Sequence, residues 1–244
     1  MDGFSPYNGY LMIEVGGFSR LGCPMKIHAQ MLNSKRVLVS DPTPSSDGAP
    51  TIFLMHGLGT NAEDLAPLIG ELDLPHCRFV LPDAPMRLNG YPPGALAWYD
   101  FETPDRAGVE KSRDHLLKLM DHFVGLSPGK TSSLLMTGFS QGGVMALEAG
   151  LAWKGGATAI VSMSGYLPHP KEAVAGAHAS KKIPILMVHG TYDGVVPVQG
   201  SREAAATLKA AGFHPVFREF EMEHTISEES LEEVRQFLHR VLGA

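Results

Sequence analysis

At 244 residues the chain is long enough for one mid-sized domain whose core needs neither disulfides nor metal for support. A composition of 44% hydrophobic and 19% charged residues, with 27 Gly and 18 Pro, is that of a globular protein rich in tight connections and excludes a disordered chain. The formal charge of −6, with 20 scattered basic residues, argues against a nucleic-acid partner, and two cysteines without a CxxC or CxxH pairing suggest neither a disulfide framework nor a zinc site.

Residues 1–34 carry no clear periodicity and are read as an N-terminal arm on a single domain spanning 1–244. Asp2 comes early, no early Lys or Arg accompanies it, and Glu14 breaks the apolar run from Tyr10 to Val15, so a signal peptide is not expected. No stretch approaches the roughly 20 apolar residues of a bilayer crossing. The expectation is a soluble protein of the reducing cytoplasm, without stable membrane insertion.

Val37 to Val39 reads as a first flanking strand, and Pro42 to Pro50, rich in Pro, Ser, Asp and Gly, as an exposed loop. Apolar runs then recur at Thr51 to His56, Phe79 to Pro82, Ser133 to Phe139, Thr158 to Ser164 and Pro184 to His189, with Val216 to Phe220 as a last strand. Helices are predicted at about 61–70, 111–124, 142–153, 201–211 and 228–242. In the last, Leu231, Val234, Phe237, Leu238 and Val241 share one face. The alternation predicts an α/β fold: a mostly parallel central sheet of about seven strands with helices on both faces.

Gly138-Phe139-Ser140-Gln141-Gly142 fits G-x-S-x-G, and it falls between the apolar run Leu134-Leu135-Met136 and the helical run from Val144 to Leu147. A serine on such a strand-turn-helix is pushed out at the carboxyl edge of the sheet, beside a helix N-terminus that favours negative charge. A serine hydroxyl needs a base and a carboxylate that fixes the base's tautomer, and in this arrangement the chain order is Ser, acid, His. Asp193 follows the strand Pro184 to Val188 on a loop at the same edge; it can also be read as a turn-former with Gly194. His224 alone among the histidines has both the order and a loop after a late strand. His115, His122 and His239 fall on helices and are expected to face solvent, His178 and His214 lie in or beside polar loops, and His56 and His189 end strands as core histidines. Met55-His56-Gly57-Leu58-Gly59 closes the first strong strand, and the backbone N–H groups of Leu58 and Gln141 are the expected oxyanion donors.

These residues resemble the carboxylesterase, phospholipase and acyl-protein thioesterase family of α/β-hydrolases. The likeness is carried in order by His56-Gly57-Leu58-Gly59, Leu81 to Pro85 with Ala97 to Asp100, Gly138 to Gly143, Ser164 to Pro168, and His189-Gly190 through Asp193 to Val196-Pro197. It implies an α/β-hydrolase fold without a large cap domain, hydrolysis of short to medium acyl esters or thioesters with no cofactor or metal, and frequent dimerisation. It also implies that the loop holding Trp98 helps form the acyl pocket, although Trp98 beside Tyr99 can equally be packing; Trp98, Leu58, Leu167 and Val196 are the pocket candidates. Two departures stand out: Thr60 where the family often has an acidic residue, and a longer N-terminal arm. A lysophospholipase or acyl-protein thioesterase would use the same residues, and a non-catalytic binding protein on the same fold is the reading from another class.

Overall fold

Along the central strands successive side chains point to opposite faces of the sheet, and each face carries its own apolar core. The computed structural model describes residues 17–18, 24–46, 48–103, 105–125 and 133–243, so much of the expected N-terminal arm lies outside the described residues. Eight strands form one sheet: β1 (Ile27–Leu32), β2 (Lys35–Ser40), β3 (Thr51–Met55), β4 (Arg78–Pro82), β5 (Leu134–Phe139), β6 (Ala159–Met163), β7 (Ile185–Gly190) and β8 (Val216–Phe220). Their spatial order is β8-β7-β6-β5-β3-β4-β2-β1, and every neighbouring pair is parallel except β4 with β2 and β2 with β1.

The eighth strand is β1, which falls within the segment expected to be an arm. It forms a hairpin with β2 through Asn33 and Ser34, both at positive φ (51° and 61°), the geometry of a two-residue turn that matches strand twist. Ile27 and Ala29 point inward while Met31 is 61% exposed, so the inward-facing pattern extends over little more than half the strand.

The helices are α1 (Leu68–Leu72), α2 (Arg106–Gly125), α3 (Gln141–Ala152), α4 (Pro170–Ala175), α5 (Val198–Ala210) and α6 (Glu228–Leu242). On one face Phe53, Met136, Ile160 and Met187 pack against α2, α3, α4 and α5; on the other Ile52, Leu54, Leu135, Val161 and Val188 pack against α1 and α6. The helix expected at 61–70 is two pieces, a 3₁₀ turn at Ala62–Leu65 and then α1. Pro67 explains the break, since it has no N–H for the helical ladder and its ring crowds the carbonyl of residue 63. Helix α2 begins five residues earlier than the apolar spacing suggests, and α4 was not anticipated. Among the described residues no helix is long and apolar enough to cross a membrane.

The chain runs outward from β3 to β4 and then returns to place β5 on the other side of β3, so the carboxyl ends of β3 and β5 flank the point where the winding reverses. Ligands of open α/β sheets bind at such a crevice. Met55 and Gly138 are level in the register there.

Candidate active site

Ser140 caps α3 with φ 56° and ψ −122°, a conformation that a non-glycine residue adopts only where the surroundings hold it. Its N–H donates to the Met163 carbonyl at 2.8 Å, and its own carbonyl accepts from Val144 at 3.1 Å. The glycines of the turn are steric necessities. A Cβ on Gly142 would lie 2.7 Å from the His56 carbonyl oxygen and closer still to that of Met55, and a Cβ on Gly138 would strike the Gly142 carbonyl. Strand β3, strand β5 and the first turn of α3 therefore meet backbone to backbone, which projects Ser140 at the sheet edge.

Asp193 and His224 arrive on loops beyond β7 and β8. The two loops are laced together: Thr191 N–H donates to Phe220 O at 2.8 Å and Tyr192 N–H to Met222 O at 3.1 Å. Gly190 allows this crossing, since a Cβ there would lie 2.6 Å from the Glu223 carbonyl oxygen and nearer to that of Met222. The result is a continuous chain: Asp193 Oδ2 to His224 Nδ1 at 2.7 Å, and His224 Nε2 to Ser140 Oγ at 2.9 Å. A carboxylate only accepts, so His224 carries its proton on Nδ1 and leaves Nε2 free to accept from the serine hydroxyl. The ring of Phe139 packs on the imidazole with centroids 4.9 Å apart.

Asp193 is held in turn by Val195 and Val196, whose N–H groups donate to Oδ1 at 2.9 and 2.8 Å. Burial pushes its pKa up, but the hydrogen bond from His224, the two backbone N–H groups and the nearby His224 charge outweigh it, leaving the carboxyl below its ordinary value. Such an arrangement can take a proton from a hydroxyl as its oxygen attacks an electrophilic carbon.

The loop after β3 lies against the serine: a Cβ on Gly57 would touch Ser140 Cβ at 3.4 Å. It is fixed on both sides of Leu58. His56 Nε2 accepts the Ala84 N–H at 3.0 Å, which puts the ring proton on Nδ1, donating to Gly57 O at 2.7 Å. Burial lowers the His56 pKa and keeps the ring neutral. Gly59 N–H donates to Leu96 O at 2.9 Å. Gln141 N–H, at the first position of α3, has no carbonyl within the helix to donate to.

The pocket candidates separate. Trp98 is 0% exposed and has no accessible surface of its own. Its Nε1–H donates to His56 O at 2.9 Å and its backbone N–H to Gln141 Oε1 at 2.9 Å, while Gln141 Nε2 donates to Tyr99 O at 3.0 Å. Trp98 thus braces the β3 loop and the start of α3 from behind. Leu167 is likewise buried, whereas Leu58 and Val196 are half-buried. A separate cavity of about 660 Å³ beside the β3 loop is lined by Arg36, Asn61, Asp83, Arg87 and Tyr91 among others, and not by Ser140, Asp193 or His224.

Of the other histidines, His122, His178 and His214 are exposed, and His56 and His189 are buried with partners at both ring nitrogens. His115 departs from expectation: it is half-buried, its Nε2 is enclosed without a partner, and burial lowers its pKa. His239 is also half-buried, with Nε2 3.2 Å from the Leu72 carbonyl oxygen. The clamp made by the Gln141 side chain and the approach of His189 to Asp193 were missed by sequence reasoning; for Gln141 the available signal was the co-occurrence of Gly138 to Gly143 with Ala97 to Asp100.

The sheet, the strand-turn-helix at Ser140 and the loops gathered at one edge define a hydrolase on the α/β-hydrolase fold. The chain belongs to the phospholipase/carboxylesterase family, which matches residues 42–242. It is 30% identical over 240 residues to acyl-protein thioesterase 1 of Mycosarcoma maydis, covering 86% of this chain and 98% of that one. Among solved structures it resembles esterase PE8, with a TM-score of 0.74 and 29% identity over 83% of this chain and 97% of that one. It also resembles acyl-protein thioesterase 2 of Zea mays, with a TM-score of 0.71 and 28% identity over 85% and 99% of the respective chains.

Proposed function

We propose that the protein is a carboxylesterase that cleaves esters of short to medium acyl chains through an acyl-enzyme on Ser140. The observation that carries this reading is the unbroken hydrogen-bond chain Ser140–His224–Asp193. His224 takes the Ser140 proton as Oγ attacks the ester carbonyl, and the N–H groups of Leu58 and Gln141 hold the tetrahedral oxyanion. His224 then protonates the leaving alcohol, and water, deprotonated by the same imidazole, releases the acid. No cofactor or metal enters these steps, and the partner is a small-molecule ester met in the cytoplasm. With Trp98 and Leu167 enclosed, Leu58 and Val196 are the pocket candidates that present apolar surface to an acyl chain.

A second reading uses the same residues on a long-chain thioester or a lysophospholipid, and the relatives named acyl-protein thioesterase favour it. Hydrolysis of p-nitrophenyl esters from acetate to palmitate, alongside a palmitoyl thioester, separates the two. Wild type is expected to peak at short chains and to take up a serine-directed phosphonate. Ser140→Ala should lose the label and on the order of 10⁴-fold or more in kcat. Full esterase activity in Ser140→Ala would overturn the assignment, and a peak at palmitate would move the substrate to the second reading.

A further inference from the structure

Two histidines face Asp193. His189, the fifth residue of β7, is 0% exposed, and its Nε2 lies 3.2 Å from Asp193 Oδ2 and 2.8 Å from the Val196 carbonyl oxygen. Both neighbours only accept, so Nε2 carries the ring proton; it donates that proton to the Val196 carbonyl and lies close beside Asp193 Oδ2. Its Nδ1, left as an acceptor, is 2.6 Å from Ser201 Oγ in α5, whose single hydroxyl proton is shared between Nδ1 and the Gly165 carbonyl. Burial lowers the His189 pKa, in keeping with a neutral ring that acts as a hydrogen-bond donor.

The far end of this network returns to the nucleophile. A Cβ on Gly165 would lie 2.6 Å from the Gly143 carbonyl carbon and 2.8 Å from the Val144 nitrogen, so the segment that receives Ser201 rests on the first turn of α3. A buried path thus runs from the carboxylate of Asp193 through His189 and Ser201 to the helix that begins at Ser140. Val196 belongs to it twice: its N–H holds Asp193 Oδ1, and its carbonyl accepts from His189.

We propose that His189 is a positioning residue for Asp193, fixing Oδ2 and the Val196 carbonyl so that the carboxylate presents itself to His224 at the right distance and with part of its charge already engaged. This role rests on the carboxylesterase reading above. A core histidine that only fills space has no reason to set its one donor beside the acid and on the carbonyl of the residue whose N–H holds that acid, and a Phe or Leu would fill the same volume without a polar atom to satisfy. Without the His189 N–H dipole beside Oδ2, the carboxylate binds the His224 imidazolium more strongly, so the acidic limb of kcat/KM moves to higher pH. The other charged groups around this pair are Glu219 of β8, which lies beside His189 in the register and is paired with Arg202 of α5 at 2.9 Å, and the exposed Glu221 and Glu223 on the loop that bears His224. All of these stay unchanged in the variants below.

The test compares wild type, His189→Asn, His189→Gln and Ser201→Ala on p-nitrophenyl acetate, with active sites counted by phosphonate titration. The Gln amide nitrogen extends to about the position of Nε2, whereas Asn reaches only to that of Nδ1. His189→Asn is expected to lower kcat by about 10- to 100-fold with KM changed less than about twofold, and to shift the acidic limb upward. His189→Gln should recover most of kcat and return the limb. Ser201→Ala should move the limb in the same direction by less, and it serves as the deciding variant if His189→Asn does not fold. The role is overturned if the folded variants keep the wild-type limb, or if Asn and Gln lose kcat equally with the limb unmoved. An active, labelled wild type with an unchanged His189→Asn overturns this role alone; a wild type that neither labels nor turns over any ester overturns the carboxylesterase reading and this role with it.

Discussion

Asp193 engages donors at both oxygens, two backbone N–H groups on Oδ1 and His224 on Oδ2, with His189 Nε2 3.2 Å from Oδ2. Its pKa lies below the ordinary value because those donors outweigh the burial that opposes them. A carboxyl whose folded pKa is depressed adds stability that is present above the unfolded value, about 3.9, and is lost as pH falls through the folded one. Asp193→Asn should therefore flatten the acid limb of the stability curve below about pH 4, read by circular dichroism during acid titration. The same change preserves shape but permits the wrong His224 tautomer, so kcat should fall by on the order of 10⁴-fold while the protein stays folded at neutral pH. A variant that kept wild-type kcat would remove Asp193 from the role given to it.

At the scale of elements, backbone approach at the turn bearing Ser140 makes the clearest demand. Gly142→Ala would force β3 and α3 apart, because the new Cβ would lie 2.7 Å from His56 O with Met55 O nearer still. The expected outcome is a loss of about 3 kcal/mol or more in urea unfolding, together with lost activity from the displaced serine. The β1–β2 hairpin makes the opposite prediction. Ser34 sits at φ 61°, where glycine is at ease, so Ser34→Gly should gain about 1 kcal/mol, or roughly 2–4 °C in Tm by scanning calorimetry. No change, or a drop in Tm, would mean that the turn is not the strained element it is taken for. That hairpin also marks where the sequence was hard to read. The central strands were legible because they are buried on both faces and bounded by glycine and proline. Strand β1 was not, because its inward pattern fades after Ala29 and its turn has serine where a glycine would have announced a hairpin. Ser140, Asp193 and His224 were legible from the G-x-S-x-G turn, the chain order and the loops that follow late strands, and the structure brings them into one hydrogen-bond chain. His189 read as a core residue because its approach to Asp193 depends on how the loop after β7 folds back, which spacing does not encode.

For the whole molecule, the two-core sheet encloses α3 so fully that a charged residue on it has nowhere to go. Glu148, two turns beyond Ser140 on this helix, is 2% exposed, and its Oε1 has no hydrogen-bond partner. Burial raises its pKa, and the charges of Arg106, Arg113 and His169 offset this only in part. The sign is the reverse of that for Asp193: a carboxyl raised in the folded state contributes fully below its unfolded pKa, about 4.3, and that contribution drains away as pH rises through the folded value. The protein should therefore carry a stability penalty at neutral and alkaline pH that acidification removes. Glu148→Gln keeps the shape and abolishes the ionisation, so it should raise Tm at pH 8 relative to wild type, with the difference shrinking as pH approaches about 4. Melting both proteins at pH 4, 6 and 8 tests it. If the variant is instead the less stable one at pH 8, the charged carboxylate is held by Arg106 and Arg113 strongly enough to overcome its desolvation, and the α2–α3 contact is then an ion-paired interface in which burial does not set the balance.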